Sequence, residues 1–413
     1  MTRIGFAYNQ KPEPATTPVT AEGEAQQPDE EPPSTRRDDW SRAPDVMAAV
    51  RAPAAGGVAA PSATDDEFAE WDTPETVDAV AAALGAVGEV VCLEADPHFP
   101  ERLRESRPDI VFNIAEGRFG TNREAHVPAI CEFYDIAYSG SDPFTLSLCL
   151  DKAKTKDFLA LHGVPTAPFT LVRTTAEAGE LADRLRRGRK AVRRRAIERP
   201  LSLPLFVKPV HEGSSKGITE RNFVRTPDEL ETQVAFLLES YAQPVLVEEY
   251  LPGAEFTCAV LGNGEGARVL PVIGMNFEAL PDGAVPIYGY EAKWLWDRPE
   301  HPLDIFDCPA RVPAALQRAI ENVTLRAYRV LNCRDWSRID VRLDAAGEPN
   351  VVEVNPLPGI LPNPADNSCF PKAARAAGLS YDELIQSCLF HAAERQGVAL
   401  PGVSARVAAS ARA

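Results

Sequence analysis

From Asp66 onward, helix-start signals and short apolar runs alternate, and few folds accommodate that order. Thr73-Pro74-Glu75-Thr76 opens a helix with a capping hydroxyl, a proline at the first helical position and an acid in the first turn. The helix is expected to continue through Val77, Val80, Ala81 and Leu84. A strand at Glu89–Leu93, a helix over Arg102–Arg107 and a strand at Asp109–Asn113 follow. With Ile4–Tyr8 as an opening strand, the succession predicts a parallel, doubly wound α/β sheet. A helix over Ala125–Phe133 and a short strand at Ala137–Tyr138 complete the unit near Ser147.

Between the opening strand and this unit lies a stretch that cannot enter a core. Residues 11–62 are rich in Pro, Ala and acids, and runs such as Pro28-Asp29-Glu30-Glu31-Pro32-Pro33 bury too little apolar surface to offset ordering entropy. We expect a mobile insertion within the first domain. The 413 residues suggest three domains at roughly 150 residues each. Their expected bounds are 1–147, 148–250 and 251–398, with a flexible tail over 399–413. Strands are expected at Thr170–Val172, Leu205–Lys208, Val245–Glu248, Phe256–Leu261, Val269–Gly274, Ser337–Leu343 and Asn350–Asn355. Helices are expected at Asp151–His162, Pro313–Leu331 and Tyr381–Gln396.

Charge narrows the functional classes. Sixty acidic against 43 basic residues give a net charge of -17, which argues against a nucleic-acid or anionic-membrane binder. No apolar run reaches bilayer length, and Met1–Phe6 lacks the zones of a signal peptide. Eight cysteines without a CxxC pair read for the most part as buried apolar side chains, in a reducing cytoplasm.

The most specific chemical signal is a pair of strands, Arg338-Ile339-Asp340-Val341-Arg342 and Val351-Val352-Glu353-Val354-Asn355. Side chains alternate along a strand, so Arg338, Asp340 and Arg342 share one face, and Glu353 shares one with Asn355. Paired as a hairpin, the segments can bring Asp340, Glu353 and Asn355 together as hard oxygen donors suited to magnesium and its phosphates. A charged, solvent-facing hairpin edge would show the same pattern. Phe206-Val207-Lys208-Pro209 runs into His211-Glu212-Gly213-Ser214-Ser215-Lys216-Gly217-Ile218. There small residues let backbone N–H groups approach phosphate oxygens and the ammonium supplies countercharge. The spacing is not that of a P-loop, and a plain turn is the alternative. Leu246–Thr257 passes from an apolar strand directly into acids, fit either to hold an adenosine or to form a polar linker. Tyr288-Gly289-Tyr290-Glu291-Ala292-Lys293-Trp294 is either a second phosphate contact or an aromatic surface loop.

Taken in order, these motifs resemble the ATP-grasp superfamily, in particular its D-alanine–D-alanine ligase branch, from about Asp109 to Gln396. The series includes Tyr138-Ser139-Gly140-Ser141, Asp151-Lys152 with Thr155-Lys156, the glycine-serine loop and Glu248 with Glu255. It continues through Glu291-Ala292-Lys293, Arg338 with Asp340, and Glu353, Asn355 and Pro358-Gly359. The resemblance implies an N-terminal Rossmann-like domain and two α+β subdomains that sandwich ATP. It implies that Lys152, Lys208 and Lys293 contact the ATP phosphates. The loop through Glu212, Gly213, Ser214, Ser215 and Gly217 would close over them, and Glu248 and Glu255 would hold the adenosine. Asp340, Glu353 and Asn355 would bind magnesium, for which manganese could substitute. Arg338 and the Gly359 amide would stabilise a tetrahedral oxyanion, and Ser214 would position substrates.

The chain also departs from that family. The acidic, serine-containing signature after the first strand is missing, leaving Glu70 or Asp72 to supply a carboxylate from the same corner. The histidine-glycine segment is replaced by Ala115-Glu116-Gly117-Arg118 and Asn122-Arg123-Glu124, so Glu116, Arg118, Arg123 and Glu124 are candidates for recognising the first substrate. A tyrosine beside the second phosphate lysine is Trp294 here. The acceptor loop Ile360–Phe370 looks longer and brings Asp366, Asn367 and Ser368. The expected activity is ATP- and magnesium-dependent joining of a carboxylate to an amine through an acyl phosphate. The alternatives are a true D-alanine–D-alanine ligase and a non-catalytic ATP-binding regulator or scaffold. The expected partners are small amino acids, or a carboxylate with an amino acid, in the cytoplasm; a homodimer is compatible with the resemblance. A basic run over 184–199 reads as a solvated insertion, with docking of an acidic carrier protein as the sharper alternative.

Overall fold

In the computed structural model, the described residues are 2–12, 68, 70–188, 201–281, 283–289, 291–296 and 303–401. The expected insertion beyond residue 12, the basic run from Arg189 to Arg199 and the tail from 402 lie outside them. Of these, residues 2–11 and those from Phe68 onward form one compact unit, built on three sheets.

The first sheet is wholly parallel, in the order Glu89–Glu94, Arg3–Tyr8, Ile110–Asn113, Ala137–Tyr138. Thr73 caps the helix Pro74–Gly85 by accepting the Thr76 N–H, and that helix buries Val77, Val80 and Leu84 against Ile4, Phe6 and Phe112. Burying such side chains contributes roughly 1.5–3 kcal/mol each. The second sheet is antiparallel, in the order Phe169–Val172, Val245–Glu249, Leu205–Pro209, Phe223–Val224. The third is antiparallel too, running Phe306–Asp307, Ile273–Met275, Glu255–Leu261, Trp336–Leu343, Pro349–Asn355, with Arg268–Val269 beside Glu255–Leu261.

Where the first and third sheets meet, Trp336 is fully buried between Phe112 and Phe370, with ring centroids 5.5 and 5.7 Å away. Beside it, Asp335 is a fully buried hub. Its oxygens accept from Gly140 N at 2.9 Å, Asn263 Nδ2 at 2.8 Å and the Arg395 guanidinium at 2.8 and 3.1 Å. Arg395 also donates to the Tyr138 and Gly140 carbonyls, so the helix Tyr381–Gln396 is tied to the end of the parallel sheet.

Four helices fall outside the sequence reading: Pro143–Leu150, Thr175–Arg186, Pro227–Tyr241 and Cys369–Ala376. Pro143–Leu150 is apolar nearly all round, so its sequence carries no amphipathic period. Cys369–Ala376 takes over the end of what reads as an acceptor loop.

Candidate active site

The strands Trp336–Leu343 and Pro349–Asn355 pair with Asp340 opposite Glu353 and Arg338 opposite Asn355, and a bulge follows Asp340. All four side chains therefore line one cavity of about 320 Å³. Asp340 accepts from Thr257 Oγ1 at 2.6 Å on one oxygen and from Arg338 Nη2 at 3.0 Å on the other. Glu353 meets Lys152 Nζ at 2.8 Å. Burial raises the Glu353 pKa, but Lys152, Lys208 and Arg338 outweigh burial and bring it to about 2. Among the described residues no three His, Cys, Asp or Glu gather as a metal cluster. Two carboxylates and an amide oxygen on one face nevertheless fit magnesium, which takes few protein ligands and fills its sphere with water and phosphate oxygens.

The second sheet and the helix Lys152–Leu161 supply buried cations. Lys208, at the end of its strand, meets Glu248 at 2.8 Å, and Lys156 meets the other oxygen of the same carboxylate at 2.7 Å. Burial raises the Glu248 pKa, yet the two ammoniums hold it below its ordinary value. One carboxylate cannot satisfy both lysines equally. Burial lowers both ammoniums; Lys208 recovers through Glu248, Glu353 and Glu255 and ends raised, whereas Lys156, repelled by Lys208, ends lowered. Lys156 belongs to the site although its sequence context gives it no separate role. Its spacing four residues after Lys152, on one helix face, is the signal for it.

Of the two acids expected to hold adenosine, Glu248 already engages two lysines, and Glu255 engages Arg342 Nη1 at 2.6 Å. Arg342 also reaches the Tyr250 hydroxyl and the Pro286 carbonyl and lies over the rings of Tyr250 and Phe277. Burial raises the Glu255 pKa; Arg342 pulls it back only partly. Strand alternation had placed Arg342 on this face without giving it a role. Lys293 lies in the helical turn Glu291–Trp296, and its side chain is outside the described residues.

The glycine-serine loop turns through Ser214 and Ser215 at φ of 48° and 62° and Gly217 at 68°. A Cβ on Gly213 would stand 2.4 Å from the Glu70 carboxylate, so glycine is what lets that acid in. Glu70 accepts from Gly213 N at 3.0 Å and from Arg123 Nη2 at 3.0 and 3.1 Å, and pairs with Lys216 at 3.1 Å. Glu212 pairs with Lys216 and accepts from Gln243, while its carbonyl accepts from Lys152. Ser215 donates to the Tyr288 carbonyl at 3.2 Å. Lys216 is a participant that sequence reading left inside the loop without a task.

Glu70, Asp72 and Glu116 line the same cavity as Ser214, Gly359, Asn367 and Ser368. Burial raises Glu116 well above its ordinary range, with repulsion from Glu124 and Glu70 adding to it. Burial also lifts Glu124 to about 7 despite Arg123, and Asp72 to about 7 despite Lys11. Ser368 donates to the Gly359 carbonyl at 3.3 Å, closing the acceptor loop on itself. Arg118 is not brought to this cavity. It is exposed, lies over Phe68 and Phe119, and lines a second cavity of about 390 Å³ behind Arg123 and Lys216. Arg186, in the described part of the basic run, is engaged by Asp183, Asp228 and Glu231, as a solvated helix face would be.

Residues 158–390 match the family described as D-ala D-ala ligase C-terminus. An uncharacterized protein, y4sG, of Sinorhizobium fredii is 34% identical over 328 residues, covering 77% of this chain and 88% of that protein. The D-alanine–D-alanine ligase of Pelotomaculum thermopropionicum is 33% identical over 298 residues, covering 72% of this chain and 84% of the ligase. The Bacillus anthracis D-alanine–D-alanine ligase, solved in complex with ATP, superimposes with a TM-score of 0.59 at 19% identity, over 96% of this chain and 99% of that one. That likeness shows a shared fold. Together with the family match and the sequence relatives, it places the chain in the D-alanine–D-alanine ligase family.

Proposed function

We propose that this chain is an ATP- and magnesium-dependent ligase that joins a carboxylate to an amine, releasing ADP and phosphate. The observation that carries the reading is the facing of Asp340, Glu353 and Asn355 by Lys152 and Lys208 across one cleft, with Arg338 and Gly359 on its wall. A substrate carboxylate oxygen attacks the γ-phosphorus and ADP leaves. The amine then attacks the acyl carbon and phosphate leaves with that oxygen. Magnesium held by Asp340, Glu353 and Asn355 would screen the charge of the transferring phosphoryl group. Lys152, Lys208 and the N–H groups around Gly213 orient the phosphates, and Arg338 with the Gly359 amide receives the developing oxyanion. Ordering of the nucleophile inside a closed cleft supplies much of the rest.

Small-molecule amino acids are the substrate class, and among the described residues no helix is long and apolar enough to cross a membrane. D-alanine–D-alanine ligation is the narrower reading, supported by the names of several relatives. A non-catalytic ATP binder is disfavoured, because Lys152, Lys208, Asp340, Glu353 and Asn355 are all in place. The test is ADP release that depends on added amino acids. The pair Asp340→Asn and Glu353→Gln should lower it by on the order of a thousandfold or more while the melting transition persists. Near-normal turnover of that double variant at physiological magnesium would contradict the assignment.

A further inference from the structure

Arg342 lines the cleft without a part in the chemistry above. It stands opposite Glu255 where the strands Glu255–Leu261 and Trp336–Leu343 pair, two positions beyond the pairing of Thr257 with Asp340. At the rise of a strand, that places it roughly 7 Å along the wall from Asp340. Nη1 donates to Glu255 Oε2 at 2.6 Å, and Nη2 donates to the Tyr250 hydroxyl and, at 3.0 Å, to the Pro286 carbonyl. The guanidinium also lies over the rings of Tyr250 and Phe277, 4.6 and 5.4 Å from their centroids. Glu255 lines the cleft as well, and among the described residues its other oxygen, Oε1, has no hydrogen bond or ion pair. Tyr250 leads into Leu251 and Pro286 into Ile287, and both of those apolar side chains line the cleft with Phe206 and Val352. Along the strand the wall therefore changes from carboxylates and lysines, through one acid with a vacant oxygen, to apolar side chains. A nucleotide presents its groups in that order: charged phosphates, sugar hydroxyls, flat base. An ionised carboxylate accepts from hydroxyls more strongly than a neutral one. Burial and Asp340 act against the ionised form of Glu255, and Arg342 with Lys208 opposes them.

We propose, resting on the nucleotide site of the ligase reading above, that Arg342 is a positioning residue for the sugar of the bound nucleotide. Through Nη1 it fixes Glu255 with one oxygen left to accept the ribose hydroxyls. Through Nη2 it fastens the Tyr250 and Pro286 segments beside the base. A neutral side chain at this position would leave Glu255 buried without its cation, free to take up a proton or to turn from the sugar. Arg342 acts on binding, so nucleotide affinity depends on it and the rate of phosphoryl transfer does not.

The test is calorimetric titration with ADP and with 2′,3′-dideoxy-ADP, magnesium present, beside the ATP dependence of amino-acid-driven phosphate release. Wild type should bind ADP at least about tenfold more tightly than the dideoxy nucleotide, the difference that hydrogen bonds to a charged group supply. Arg342→Met should narrow that ratio to below about threefold and raise KM for ATP about tenfold, with kcat within about threefold of wild type. Arg342→Lys, which keeps the charge without the planar fork, should recover part of the ratio. Should Arg342→Met fail to fold, Arg342→Gln repeats the titration. A wild-type protein that binds both nucleotides equally overturns this role, and so does a ratio that survives substitution. A fall in kcat at constant KM, or an equal loss of affinity for both nucleotides, overturns it too, the latter leaving Arg342 a packing group alone. The expected ratios without phosphate release on any amino acid overturn the ligase reading and uphold this role.

Discussion

Glu124 shows how a single buried group turns into a measurable property. Its pKa is about 7 in the fold against 4.5 for the ordinary carboxyl, so the folded state binds this proton more tightly than the unfolded chain. Below the ordinary value both states are protonated and Glu124 costs nothing. As pH rises toward 7 the unfolded chain gives up its proton first, and stability falls. Glu124→Gln should therefore melt at a higher temperature than wild type at pH 8, with the difference shrinking toward pH 5. A difference independent of pH would mean that Glu124 is already compensated. Residue-level legibility was uneven. Strand alternation was enough to gather Asp340, Glu353 and Asn355, because side-chain direction in a strand is local. Lys156 is hinted at only by its spacing from Lys152, while Lys216 and the grip of Arg123 on Glu70 depend on partners far apart in the chain, which no spacing reports. Glu70 and the glycine-serine loop could each be nominated from sequence; the contact between them could not.

At the scale of elements, the turn from Gly213 to Gly217 is the most constrained piece of backbone in the site. Gly217 sits at φ 68°, and an added Cβ would stand 2.7 Å from Pro209 and 2.8 Å from the Tyr241 ring. Gly217→Ala meets both the left-handed penalty, about 1–2 kcal/mol, and those contacts. We expect a lower melting temperature and a raised KM for ATP, read by phosphate-release kinetics. An unchanged KM would show that the loop takes no part in holding nucleotide. Helices announced by caps were legible: Thr73-Pro74 opens Pro74–Gly85, and Ser380 with Glu383 forms a capping box on Tyr381–Gln396. Thr226-Pro227 carries the same signature and opens Pro227–Tyr241, so that helix was readable in principle. Strand order within the two antiparallel sheets was not, since it is set by long-range pairing such as Trp336–Leu343 with Glu255–Leu261.

At the scale of the molecule, the cleft combines parts from all three sheets: Glu116 follows the parallel one, Lys208 ends a strand of the second, and Asp340, Glu353 and Asn355, the proposed magnesium ligands, lie on the third. Asp335 and Arg395 hold the first and third together. Asp335→Ala would leave the half-buried Arg395 guanidinium without its carboxylate and should cost about 3–5 kcal/mol in denaturant unfolding. A loss below about 1 kcal/mol, the value of an exposed pair, would contradict that role. The ordered motif series made the nucleotide chemistry legible, while the substrate corner was legible only as a departure from the family pattern. The central claim is that a substrate carboxylate is activated by phosphoryl transfer, and isotope transfer tests it most directly. With an acyl donor labelled with oxygen-18 in its carboxylate, turnover through an acyl phosphate places one labelled oxygen in each inorganic phosphate released. Phosphate without label, released during the same turnover, would contradict it.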